Sequence, residues 1–130
     1  MAKRLTDTGK WTNPAFRALQ AKFKLLYLYI LDNCDASGVM HLDLKLIGFI
    51  LSQRYSIDEV QAAFEKRIVF LSEDKIIVRN YIAFQNGDVV KAESNIAKSV
   101  KATLNSHGLL DRYKKGEFGN VNSAIALWDG

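Results

Sequence analysis

The sequence predicts a mainly helical α+β domain carrying one small antiparallel sheet, and three stretches predict it. Residues 56–67 begin with Ser56 and, three residues on, Glu59, the pair that closes a capping box at a helix start. The apolar run at 68–71, the charged step Ser72-Glu73-Asp74-Lys75 and the runs at 76–78 and 81–82 then read as a two-stranded hairpin. Upstream, residues 20–33 place Phe23, Leu26, Tyr27, Ile30 and Leu31 at three- and four-residue spacing, which is one face of a helix. A helix feeding a hairpin is the second half of a winged helix-turn-helix. The amphipathic helix supplies the first half, and a further helix follows.

Each element has a local reason. Residues 1–12 are polar and basic and predict a flexible arm, with Trp11 as its anchor. Asn13-Pro14 is a helix start, an amide cap followed by proline at the first helical position, and opens a short turn of helix through Leu19. Asp35-Ala36-Ser37-Gly38 is a turn, after which residues 39–42 form a short strand that pairs with the hairpin into a three-stranded sheet. Asp43 caps a helix over 44–53 that buries Leu44, Ile47 and Leu51, and the short link Arg54-Tyr55 leads into the helix at 56. Gln85-Asn86-Gly87-Asp88 predicts a second turn. A last helix over about 92–107 turns Ile96, Val100 and Leu104 inward and stops at Gly108, with Leu109 and Leu110 packing back on its end. The domain thus spans 13–113, and 114–130 predicts a loosely ordered tail in which Trp128 alone has reason to dock.

Composition narrows the function classes. A chain of 130 residues with 48% hydrophobic side chains builds one domain with its own core. The single Cys34 forms no internal disulfide, which fits a reducing cytoplasm, and it reads as a small core residue. No apolar run approaches the ~20 residues of a membrane span, and the start carries no export signal. The net charge of +4 is unevenly spread: residues 1–31 carry six basic side chains against Asp7, residues 89–115 six against Glu93 and Asp111, while the middle is acidic. A basic balance of this kind is compatible with a nucleic-acid partner and equally with a solvated surface.

Enzyme chemistry has no foothold. His41 and His107 lie far apart without metal-ligand spacing, and each reads as structural. Asp32, Asp35 and Glu93 form no local carboxylate cluster, and no Walker loop, glycine-rich nucleotide signature or serine elbow is present. We therefore expect no catalytic residue, metal, cofactor or small-molecule substrate. Most Phe and Tyr residues sit on core stripes, so a single-strand stacking platform is not expected either.

The candidate sites are contacts to duplex DNA. The helix at 56–67 is the recognition helix of such a fold, yet it turns Asp58, Glu59 and Glu65 outward with Lys66, a poor surface for phosphates. Gln61, as a reader of adenine, and Lys66 are its residues suited to base contact. Lys75 in the wing and Arg79 beyond it suit backbone or minor groove, or simply keep the sheet edge soluble. The better face is the last helix, where Lys91, Asn95, Lys98 and Lys101, with Ser94 and Asn105, fall on one side. Cations and amides on one stripe suit phosphate contacts, which position a protein without reading sequence. Lys3, Arg4 and Lys10 of the arm add to them.

Several of these stretches resemble winged-helix proteins of phage and prophage replication modules, the replisome organisers. The likeness runs through Trp11-Thr12-Asn13-Pro14-Ala15-Phe16, residues 25–31 with the D-x-x-G turn, and Phe64-Glu65-Lys66-Arg67-Ile68. It continues through Asp74-Lys75, Phe84-Gln85-Asn86-Gly87, Asn95-Ile96-Ala97-Lys98-Ser99-Val100 and His107-Gly108-Leu109-Leu110, covering residues 11–113. The resemblance implies a bacterial host cytoplasm, an origin or backbone DNA contact, and replication proteins or a second copy as partners. An interaction module, or a transcriptional regulator, uses the same fold and is the alternative expectation.

Overall fold

The computed structural model describes residues 2–122 and 126–128. It is a winged helix with three added helices. A single 3-10 turn, Thr8–Thr12, precedes α1 (Pro14–Ala18) and α2 (Ala21–Asn33); then follow β1 (Val39–His41), α3 (Leu44–Leu51) and α4 (Ile57–Phe64). β2 (Ile68–Ser72) and β3 (Lys75–Val78) form the wing, and α5 (Tyr81–Asn86), α6 (Asn95–Ser106) and α7 (Leu110–Lys114) close the chain. The sheet order is β1-β3-β2, antiparallel throughout, with Val39 opposite Ile77 and Ile68 opposite Val78.

Helix starts follow local chemistry. Asn13 Oδ1 accepts from the amides of Ala15 and Phe16, Asp43 Oδ1 from Leu46, and Ser94 Oγ from Ala97. Ser56 and Glu59 close the capping box in both directions. Asp35 organises the turn before β1: its Oδ1 accepts from the Ser37 amide at 2.8 Å, the Ser37 hydroxyl at 2.6 Å and the Val39 amide at 3.1 Å. Gly38, at φ +83°, lets Tyr81 pack against the backbone where a Cβ would stand 3.0 Å from its side chain.

The sheet separates two cores. Side chains alternate along β3, so Ile76 and Val78 face α1, α2 and α4, where Phe16, Leu26, Tyr27, Ile30, Val60 and Phe64 are buried. Ile77 faces the other way, with Val39, Ile82, Ala97, Val100, Leu104 and Tyr113. The last three helices thus cover the sheet face that a bare winged helix leaves to solvent.

Four expectations are corrected. Residues 81–82 are not strand but the start of α5. Asn80 takes a left-handed turn at φ 65°, donates its amide to Phe118 O and accepts from the Asn120 amide, and the chain reverses there. Tyr81, Ile82 and Ala83 are then buried in succession, which a half-exposed strand could not do. Residues 85–86 accordingly close that helix, and Gly87 follows it at φ +68°. On α6, Ile96 is 62% exposed and Ala97 takes the inward position beside Val100 and Leu104. The arm is folded rather than free over residues 2–12: Lys10 is buried with its ammonium on Asp7 O, and Trp11 stays half in water against Phe16.

The expected loose tail is anchored where it is described. Leu127 and Trp128 are buried, and their amides donate to Asp7 Oδ2. The Trp128 ring meets Phe16, Tyr27 and Phe64 edge-on at 5.1, 4.9 and 6.4 Å, under the Arg67 guanidinium. Residues 123–125 and 129–130 of that stretch lie outside the described residues.

Candidate nucleic-acid interface

The arm and the last helix meet. A groove of about 420 Å³ runs between residues 2–4 and α6, lined by Lys3, Gln85, Asn86, Asn95, Ile96 and Ser99 among others. Gln85 fixes the arm there by two hydrogen bonds to the Leu5 backbone, at 2.8 and 2.9 Å. Lys3 and Asn95, 92 positions apart in the chain, thereby share one concavity. Lys91 and Lys98 are exposed and have no ion-pair partner among the described residues. Glu93 is the sole carboxylate in residues 89–110.

Three residues of the expected basic set are occupied by the fold, and Lys10, buried on Asp7 O, is the first. The Arg4 guanidinium donates to Leu31 O at 2.8 Å and to Cys34 O, taking up carbonyls at the C-terminal end of α2. A cation at that end also complements the helix dipole. Lys101 is half-buried and reaches back to Ala92 O at 3.3 Å, before the helix begins. The face that remains free is Lys3, Lys91, Asn95 and Lys98.

The recognition helix and wing make a different surface. Gln61, Lys66 and Arg79 line one hollow of about 400 Å³, and Glu65 and Glu117 line it with them. Asp58 is exposed beside them on the outer face of α4. Glu59 is held by the Lys22 ammonium at 2.9 Å, which, together with the Ser56 amide, keeps its carboxyl below the usual range. Lys75 pairs across the sheet with His41, close to Asp74 at 3.7 Å from the imidazole. Cations and carboxylates alternate over this half, so no single-sign field forms.

His107 lies at the end of α6 and its Nε2 sits 2.8 Å from Asp35 Oδ2, joining the last helix to the turn before β1. Burial raises the Asp35 carboxyl, but hydrogen bonds from Ser37, His107 and Val39 outweigh it and bring the group below its ordinary value. Burial pushes the Cys34 thiol up, as befits an unreactive core cysteine. Burial likewise raises the Tyr113 hydroxyl to about 12. Among the described residues no group of three or more His, Cys, Asp or Glu is placed to hold a metal ion. No helix among them is long and apolar enough to cross a membrane.

One surface went unread in the sequence. Leu46, Phe49 and Ile50 of α3 are 53%, 84% and 50% exposed. The signal was the composition of the helix itself: LKLIGFIL is apolar almost all round, more than one buried face requires. Comparison with protein-family models, with curated proteins and with solved structures finds no match.

Proposed function

We propose that this chain is a DNA-binding protein of a phage or prophage replication module, working in the cytoplasm of a bacterial host cell and holding duplex DNA by its backbone. The observation that carries the reading is the convergence of the arm and α6: Lys3 and Asn95 line one groove, with Lys91 and Lys98 exposed beyond it. Phosphates need cations that are not already neutralised, and these are the ones the fold leaves free. Asn95 and Asn86 supply amide donors that suit phosphate or sugar oxygens. The mixed charge on α4 and the wing supports a smaller part for Gln61, Lys66, Lys75 and Arg79, and the engaged side chains of Arg4, Lys10 and Lys101 support none in direct contact.

The test is fluorescence anisotropy of a short random duplex titrated over salt, comparing wild type with Lys3→Glu/Lys91→Glu/Lys98→Glu. All three side chains are exposed, so the variant keeps its fold. Wild-type affinity should fall steeply with salt, and the variant should lose most binding and flatten the slope by about 0.9 per phosphate contact removed. Duplex binding that the triple reversal leaves intact refutes this site. A second reading, an interaction module, is favoured by the exposed carboxylates Asp58 on α4 and Glu65 at its end, which repel phosphates, and by the bare apolar stripe on α3.

A further inference from the structure

We infer that the outer face of α3 is a self-association surface, and that its occupant is α3 of a second copy of this chain lying antiparallel across a two-fold axis. Leu46, Phe49 and Ile50 stand at i, i+3 and i+4, so they form one continuous stripe on the solvent side. A phenylalanine that is 84% exposed between two half-exposed aliphatics is costly in water and marks a contact surface. Among the described residues nothing covers this stripe. The same helix already turns Ile47 and Gly48 inward, and Gly48 is pressed against the following turn, where a Cβ would lie 2.6 Å from Gln53 O.

The surface is complementary to itself, as an interface across a two-fold axis must be. Beside the stripe lies an open hollow of about 810 Å³ between α3 and residues 52–55, lined by Leu44, Gly48 and Tyr55, with Phe49 at its edge and the cations Lys45 and Arg54 placed to stack on an aromatic ring that enters it. One chain therefore carries both an aromatic knob and a concavity to receive one. The charges point the same way. Asp43 is exposed at the N-terminal end of the stripe and Arg54 is exposed just beyond its C-terminal end. An antiparallel pair brings each Asp43 towards the other copy's Arg54, and opposes the two helix dipoles favourably. A parallel pair would set like charges together. The stripe itself, Leu46, Phe49 and Ile50, offers phosphates no cation or amide, whereas Lys3, Lys91 and Lys98 lie on other elements.

Eight residues make a helix of only about 12 Å. One face of such a helix, about 12 Å by 10 Å, is far less than the ~800 Å² per partner of a standard stable interface, so the dimer is expected to be weak and reversible, roughly micromolar rather than nanomolar.

Sedimentation velocity of the full chain without DNA, over about two decades of concentration into the hundreds of micromolar, reads the association directly. Wild type should shift from monomer towards dimer, and Phe49→Glu should stay monomeric, at least tenfold weaker, with an unchanged far-ultraviolet spectrum. Arg54→Glu should weaken the dimer too, and more so at low salt than at high salt. A wild-type chain that stays monomeric throughout overturns the proposal and leaves the stripe to a different protein. A dimer that survives Phe49→Glu also overturns it, because the contact then lies elsewhere. Phe49→Glu should bind the short duplex as wild type does, so the two surfaces fail or stand separately.

Discussion

Replacing Trp128 tests the most consequential contact of the fold, because one residue near the end of the chain completes the main core. Its ring is 3% exposed and meets Phe16, Tyr27 and Phe64 with the Arg67 guanidinium 4.5 Å from its centroid. Truncating a buried tryptophan to alanine costs ~3–5 kcal/mol through lost transfer energy and the cavity left behind. A domain of this size is stable by only ~5–15 kcal/mol, so Trp128→Ala should fold marginally. Trp128→Phe separates two effects. The indole Nε1 is buried with no acceptor among the described residues, and an orphan donor costs ~1–3 kcal/mol that phenylalanine removes. The smaller ring gives back a similar amount in lost contact, so the net change should be within about 1 kcal/mol of wild type. Urea unfolding followed by circular dichroism measures both. Fluorescence adds a site-specific check, since Trp11 is the other tryptophan: in Trp11→Phe the remaining emission should be shielded from acrylamide until the chain unfolds. A Trp128→Ala variant within ~1 kcal/mol of wild type would refute the docked ring.

Two further substitutions probe the joints that position the candidate sites. Asp35→Ala leaves the amide and hydroxyl of fully buried Ser37 without their acceptor and should cost about 3 kcal/mol in urea unfolding at neutral pH. The native carboxyl sits below its ordinary value, so its stabilisation is complete above the unfolded value and lost as pH falls through the folded one. The gap between wild type and Asp35→Asn should therefore close at strongly acidic pH, and a gap that stays constant contradicts the assignment. Gly48→Ala pushes a Cβ into the Gln53 carbonyl and should lower stability by ~1–3 kcal/mol, read as a drop in the urea midpoint; a neutral or stabilising result would mean the turn after α3 can move aside.

Much of the architecture was legible because it is written in short-range chemistry. Asn13-Pro14, Asp43 and Ser56 with Glu59 act on amides two or three residues away, so their helix starts fall where the local pattern puts them. Ser94 works the same way, but the pattern runs that helix from about 92 and it begins instead at Asn95. The candidate DNA face was legible only as a list. Sequence groups Lys91, Asn95, Lys98 and Lys101 on one helix side, but Lys91 lies in the turn before α6 with its amide on Asp88 Oδ1, Lys101 turns back to Ala92 O, and Lys3 shares a groove with Asn95. Arg4 looked like a free arm cation, and its partners lie 27 and 30 residues away at the end of α2.

By itself, then, the sequence determined the helix caps, the hairpin, the turn at Asp35 and the winged-helix order of elements, since each depends on neighbours within one helical turn or one strand pair. Tertiary structure decided the rest. Asn80 turns left-handed because it bonds residues 118 and 120, and that turn makes a helix of a stretch whose composition reads as strand. Trp128 enters the core because Phe16, Tyr27 and Phe64 leave room for it. On α3 the spacing places Leu44, Ile47 and Leu51 inward, and they pack on the core, but with seven apolar or glycine positions in eight it carries no mark that further apolar side chains stay uncovered. Only the packing of Ile47 and Gly48 against the rest of the domain leaves Leu46, Phe49 and Ile50 in water, because burial is a property of what lies across the contact and not of the residue alone.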